Sequence, residues 1–475
     1  MTVIAVGVAV PAASAAPDND KTAQVATAAP HGVISAFTLI VPTSVSASHL
    51  QVRAVVATGT GCPHVKVSKN NGKTVSLAMT KRVPGATTSP AFADLRACQA
   101  NLPTSAKSAK VDGISVPARL PSKYNKIALL GDTGCRVTPK FVQDCSNNTG
   151  WPLAPNSRSV AKEKPDAILF TGDFYYREAA CPEAQQAKCG TSPPPLLNAP
   201  FADSAYGWMA DVFIPMAPML RSAPLLALRG NHESCSRGGN GYYLFFDVSN
   251  DSAGACAPVN GVAPTNMNPT WSFDMPVAKG RTLRAVIVDS AYGRNFEVTN
   301  WVDTQKSAYQ KADALSAPKK GRESWLLTHR PMFGIDSLVE SKSLPPWTSL
   351  DQTAAAIGLI KHYDLMVASH VHVAQVVQIP GQPAQLVVGN GGSIPDSETG
   401  YEIPPAGPLA KNDGTPVNPA YAPYAKATYL WNAVKYGYAI ATPGKKADHW
   451  TFAQKDTSGK QFATCSLANK KMTCK

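Results

Sequence analysis

The sequence contains no Cys-x-x-Cys pair, no internal repeat and no sustained apolar heptads. It also has no apolar run approaching the ~18 residues that a membrane-crossing helix needs. The first absence argues against a thiolate zinc site. The next two exclude solenoids and coiled coils, and the last excludes a helical membrane span. No recognised nucleic-acid-binding motif accompanies the basic residues. Acidic residues are few, 32 against 45 Lys and Arg, which leaves a net charge of +13. A basic envelope of this kind steers anions, so phosphorylated small molecules are natural partners and a specific nucleic acid is not expected. Nothing in the sequence sets the oligomeric state.

The chain of 475 residues is long enough for one large domain and a smaller one. Forty Pro and 34 Gly imply much loop, as expected where chemistry sits on loops. Val3 to Val10 is a short apolar run, and Ala13-Ser14-Ala15 resembles a signal-peptidase site, so residues 1–15 read as a secretory signal. No Lys or Arg precedes the run, which leaves a start upstream of Met1 or a plain Ala-rich terminus as alternatives. The ten Cys fall as close couples: Cys62 and Cys98, Cys135 and Cys145, Cys181 and Cys189, Cys235 and Cys256, Cys465 and Cys474. An even count in an exported chain points to five disulfides and to a secreted or periplasmic location. Spacing alone does not determine connectivity; neighbour pairing is the expectation.

Residues 16–46 read as a low-complexity linker and 47–120 as a small β-rich N-terminal domain. Leu50 to Val56 is strand-like, and the Asn70-Asn71-Gly72 turn joins two further strand-like runs. Residues 124–445 alternate apolar runs with helical stretches at 203–221, 300–314 and 351–363. Together they predict an α/β fold, two packed mixed β-sheets flanked by helices. Gln375 to Ile379, Ala384 to Val388 and Gly437 to Thr442 add later strands, and Gly389-Asn390-Gly391-Gly392 makes a tight loop. Residues 446–475 read as a basic, disulfide-bearing tail, with seven Lys from Lys445 onward.

Five strand-like runs end in side chains that can bind metal. Ile127 to Leu130 leads into Gly131-Asp132-Thr133-Gly134, and Asp166 to Phe170 into Thr171-Gly172-Asp173-Phe174-Tyr175-Tyr176. Leu225 to Leu228 leads into Gly230-Asn231-His232-Glu233, Trp325 to Leu327 into His329, and Leu365 to Ala368 into His370-Val371-His372. Four of the nine His lie in these few positions. Carboxylates and imidazoles at the carboxyl ends of strands are where α/β sheets bind ligands.

This order of motifs resembles the calcineurin-like metallophosphoesterases and, through Tyr176 three residues after Asp173, the purple acid phosphatases among them. The resemblance runs from Asp132 to His372. It implies that Asp132, Asp173, Tyr176 and His372 hold a first metal ion. Asp173 would bridge to a second ion completed by Asn231, His329 and His370. Three anionic oxygens suit Fe(III) at the Tyr176 site, and the more neutral second set suits Zn, Mn or Fe(II). The implied activity is that of an exported phosphomonoesterase in which hydroxide on two metals attacks phosphorus, with His232 assisting the leaving group. The same centre would also serve a phosphodiesterase or nucleotide hydrolase, and a non-catalytic binding protein on this fold is a third reading. Arg136, Arg177 and Arg330 lie beside the motifs and could bind phosphate or form ordinary salt bridges. One departure stands out: many purple acid phosphatases have another His after the fourth motif, whereas Arg330 to Leu344 contains none. His232 alone, Asp336 or a good leaving group would have to compensate.

Overall fold

The computed structural model describes residues 32–82, 90–190, 201–249, 256, 267–293, 301–334, 362–395 and 429–475. The expected signal at 1–15, residues 351–361 of the expected helix at 351–363, and Asp336 lie outside them.

Two large sheets form the fold, one of eleven strands and one of seven, with a further four-stranded sheet. Strands Ile127–Leu130, Ala167–Phe170 and Leu225–Ala227 run parallel side by side in the first. Strands Arg281–Ile287, Arg322–Leu327, Leu365–Ala368 and Ala384–Val388 run parallel in the second. Both sheets also contain antiparallel pairs, so both are mixed.

Alternation along each strand shows why the sheets stack. Ile127 and Leu129 enter one core with Trp325, Leu327, Leu365 and Val367 from the opposite sheet. Ala128 and Leu130 point the other way, under a helical layer that includes Leu153, Val160 and Tyr242. Leu326 and Met366 likewise face Ala308, Tyr309 and Ala312 of the helix Trp301–Ser316. A strand buried on both faces reads as a continuous apolar run, which is how these strands look in the sequence.

Four expectations need adjustment. Residues 33–44, taken as the end of a linker, form a buried strand that pairs with Leu225 in the first sheet. The N-terminal β-rich region has two parts: strands around 64–69, 74–78, 106–111 and 114–116 form the four-stranded sheet, while Ala47–Ala57 and Leu95–Asn101 continue the eleven-stranded one. The expected tail is also sheet: His449–Asp456, Gln461–Ala468 and Lys471–Cys474 extend its far edge. The helix at 203–221 is broken into Ala205–Trp208, Met209–Phe213 and Ala217–Leu220. Pro215 interrupts it, because a proline removes a backbone donor and clashes with the preceding turn, while Pro218 sits in the first turn of the last piece, where it is tolerated.

The five couples of cysteines are bonded as neighbours, and no free cysteine remains. No helix among the described residues is long and apolar enough to cross a membrane.

Candidate metal centre

The carboxyl ends of the two parallel strand sets meet at one edge of the sandwich. Asp132, Asp173 and Asn231 come from loops of the first sheet, and His329, His370 and His372 from loops of the second. All but the half-buried His370 are buried.

The phenol oxygen of Tyr176 lies 2.8 Å from Asp132 Oδ1, 2.7 Å from Asp173 Oδ2 and 2.8 Å from His372 Nε2. A phenol has one proton and can satisfy one of these partners, so the group is oversubscribed as a set of hydrogen bonds. Ligands ~2.1 Å from an octahedral cation stand ~3 Å apart, and this cluster has that spacing. Without a cation the phenol is held in its neutral form: burial, then the charges of Asp132 and Asp173, raise its pKa well above the ordinary value.

A second cluster adjoins the first through Asp173. His329 Nε2 lies 2.9 Å from Asn231 Oδ1 and 3.2 Å from Asp173 Oδ2. Asp173, His329 and His370 bring their ligand atoms within 4.8 Å of one another. The outer nitrogens fix the rings. His329 Nδ1 donates to the Thr171 carbonyl at 2.9 Å, and His372 Nδ1 to that of Ile394 at 2.7 Å, which leaves each Nε2 facing the cluster. At His370, Arg330 Nη1 lies 2.7 Å from Nε2. Burial favours the neutral form of Asp173, but the imidazoles of His329 and His232 outweigh it and hold the carboxyl well below the usual range. The donors therefore fit two cations sharing the Asp173 carboxylate.

The backbone is bent to make this possible. Asp132, Asp173 and His370 have φ of 55°, 58° and 72°, a left-handed conformation that side chains seldom adopt outside functional sites. Small residues give them room. A Cβ on Gly230 would overlap Asp173 Oδ1 and its backbone nitrogen, and one on Gly131 would meet Ser369 Oγ at 2.6 Å.

Some residues of the site were not singled out by sequence. Glu233 accepts the backbone N–H groups of Asp173 (2.9 Å), Phe174 (2.8 Å), Tyr175 (3.1 Å) and Gly230 (2.9 Å), so it locks the second motif to the third. The Gly389–Gly392 loop packs on the first motif, where Gly391 N–H donates to Gly131 O at 3.1 Å and Ser393 N–H to Asp132 O at 2.8 Å. The run of glycines was its only signal. Of the three flanking arginines, Arg177 is buried against Asp211 (Nε to Oδ1, 2.6 Å) and the carbonyls of Cys189 and Gly190, so it braces the loop. Arg330 serves His370 as described, and Arg136 is half-buried.

His232 lies over the Tyr176 ring, with centroids 3.7 Å apart. Its backbone N–H donates to Asp173 Oδ1 at 2.8 Å, and its Nδ1 is 2.7 Å from Glu178 Oε1. Burial keeps the imidazole pKa below its ordinary value despite the Asp173 and Glu178 charges. Burial alone would raise the Glu178 carboxyl, but His232 and Arg237 hold it at about 2. Sequence spacing did not reveal Glu178 as the partner of His232.

A two-sheet sandwich with carboxylate, amide and imidazole donors converging at its strand ends defines a metal-dependent hydrolase of the dinuclear class. The chain belongs to the calcineurin-like phosphoesterase family, whose profile matches residues 126–374. Among solved structures it is similar to the purple acid phosphatase PPD1 from yellow lupin (Lupinus luteus) seeds, at 12% identity and a TM-score of 0.50, covering 88% of this chain and 72% of that one. It is also similar to PhoD, at 11% identity and a TM-score of 0.52, covering 94% of this chain and 92% of that one. At these identities the likeness is one of fold. No curated protein sequence matches the chain.

Proposed function

We propose that the protein is an exported phosphomonoesterase of the purple acid phosphatase type. The observation that carries this reading is the phenol of Tyr176 seated among Asp132, Asp173 and His372, since a phenolate ligand favours Fe(III). Asp132, Asp173, Tyr176 and His372 would hold Fe(III). Asp173, Asn231, His329 and His370 would hold Zn, Mn or Fe(II). Two such cations offset charge on the phosphoryl group and lower the pKa of water.

The remaining steps belong to the chain. Glu178 Oε1 stands 2.7 Å from His232 Nδ1 and holds the ring beside the centre. His232, between the metal-ligand motifs and beside Asp173 and Glu178, is the side chain placed to assist departure of the alcohol oxygen. The buried donor ring and the basic envelope bind a small phosphorylated substrate. The five disulfides support export.

Metal content per chain, the visible spectrum, and hydrolysis of mono- and bis-nitrophenyl phosphate at equal metal loading test the reading. Iron with a visible band and faster monoester turnover is the expected result. Preferential diester turnover would make it a diesterase on the same site, and no hydrolysis from pH 4 to 9 would leave a binding protein.

A further inference from the structure

The turn after the third motif carries an arginine placed with unusual definition. Arg237 Nε and Nη2 grip Glu178 side-on, with Nη2 to Oε2 at 2.7 Å. The same Nη2 donates its other hydrogen to His232 Nε2 at 3.1 Å. The turn beneath it is closed by Gly238 N–H to His232 O at 2.8 Å and Arg237 N–H to Ser234 O at 2.9 Å. The Cys235–Cys256 disulfide and a 3.0 Å bond from Cys235 N–H to Tyr292 Oη pin it from outside. The guanidinium plane is therefore set before any substrate arrives.

A guanidinium is a rigid fork, and the two N–H bonds of its end edge run parallel. One, on Nη2, points at His232 Nε2. Its twin on Nη1 runs parallel to it, and the His232 Nε2 it flanks is 3.8 Å from Asp173 Oδ2. The Arg237 side chain keeps 31% of its surface exposed, so it reaches the solvent side of the donor ring while staying anchored. Glu178 neutralises the side-on edge and leaves the end edge as the cationic face.

We propose that Arg237 is a specificity-determining residue that selects phosphate monoesters over diesters. This rests on the reading of the centre as a phosphoesterase. A monoester dianion has one more unsubstituted oxygen than a diester. With the other oxygens directed at the donor ring, that extra oxygen faces His232 and Arg237, where Nη1–H donates to it. A diester carries an alkoxy group at that position, which has no negative charge to reward the contact and needs the space. Charge-assisted hydrogen bonds are worth ~1.5–3 kcal/mol, which corresponds to roughly 10- to 100-fold in kcat/KM.

The test compares metal-replete full-length protein, Arg237→Met and Arg237→Lys. Metal content per chain is checked first, and it is expected to be equal in all three. Arg237→Met should lower kcat/KM for mono-nitrophenyl phosphate by about 10- to 100-fold and that for the bis-ester by less than about threefold. Binding of inorganic phosphate, measured by calorimetry, should weaken in parallel with the monoester loss, while dimethyl phosphate binding stays within about threefold. Arg237→Lys keeps the charge but not the fork, and should recover part of the monoester activity. Equal losses on both esters would show that Arg237 only orients His232 and Glu178, and would overturn the assignment; so would unchanged activity, or a variant emptied of metal. A wild-type protein that hydrolyses neither ester instead overturns the phosphoesterase reading itself.

Discussion

Tyr176 Oη and Asp132 Oδ1 lie 2.8 Å apart, although 44 positions separate the two residues in the chain. Each stands on its own loop after its own parallel strand, and the contact exists because those strands, Ile127–Leu130 and Ala167–Phe170, are paired in register. The neighbouring Tyr175 points the other way and stacks on Trp208 with centroids 5.5 Å apart. Replacing each tyrosine by Phe separates the roles. Tyr176→Phe is expected to abolish the visible band of iron-loaded protein. Tyr175→Phe should leave the spectrum intact but lower stability by ~1–3 kcal/mol, because the carbonyls of Arg177 and Ala202 lose their shared donor. Visible absorption and denaturant unfolding of the two variants distinguish these outcomes.

Through one oxygen, Oδ2, Asp173 stands within 2.7 Å of Tyr176 Oη and 3.2 Å of His329 Nε2, so it touches both donor clusters. Asp173→Asn should therefore lower metal content more than Asp132→Asn or His370→Ala, measured as metal per chain after gel filtration. His232→Ala should instead keep metal near normal and lower turnover by ~100-fold or more. A metal-free His232→Ala protein, or one with full turnover, contradicts that assignment.

Glu233→Gln tests the lock between the second and third motifs. Each carboxylate oxygen of Glu233 accepts two backbone N–H groups. An amide keeps one acceptor and turns its NH2 toward two donors. A loss of ~2–4 kcal/mol in stability is expected from those unsatisfied buried groups. Metal affinity should fall by ~10- to 100-fold as Asp173 loses its alignment. Thermal melting and a metal titration measure the two effects.

Gly230→Ala adds a single methyl group against Asp173 Oδ1 and its nitrogen. Backbone cannot yield as a flexible side chain does, so the Asp173 loop must shift. The expected product is a folded protein that binds little metal, seen as near-native far-UV dichroism with low metal per chain. Gly381→Ala, at a glycine with open space but φ of 74°, serves as the control and should cost only ~1–2 kcal/mol of backbone strain.

Thiol titration of the denatured, unreduced protein should find none of the ten cysteines free. Reduction should loosen the Cys181–Cys189 loop, whose Cys189 carbonyl accepts from Arg177 Nη1 at 2.9 Å beside Tyr176. Metal loss on reduction, followed by the visible band, would trace that link. A spectrum unchanged after full reduction would show that the loop keeps its shape without the bond.

The ligand set was legible in the sequence because its chemistry is local. An apolar run, a Gly and an Asp are contiguous, and so are Asn231 with His232 and His370 with His372. Strand alternation could be read too, since residues such as Ile127 and Ala128 face opposite sides with a fixed period of two. The expected helix at 203–221 is broken because Pro215 lies inside its apolar pattern. The linker over 33–44 failed because composition does not say what an apolar stretch will pair with; Leu39 finds its partner at Leu225.

The tertiary structure decided everything that depends on packing across the chain. It assigned three donor motifs to one sheet and two to the other. It brought Glu178 to His232 Nδ1 and Arg237 to His232 Nε2, and gave Arg330 to His370. It turned Glu233 into a clasp on four backbone groups. None of these partners shares a periodicity or a spacing with the residue it serves. The sequence by itself determined which side chains carry the chemistry, because each is written beside its strand. Which nitrogen of His329 and of His372 faces the centre follows from contacts made only when two sheets close on each other, where burial makes every unmet hydrogen bond costly.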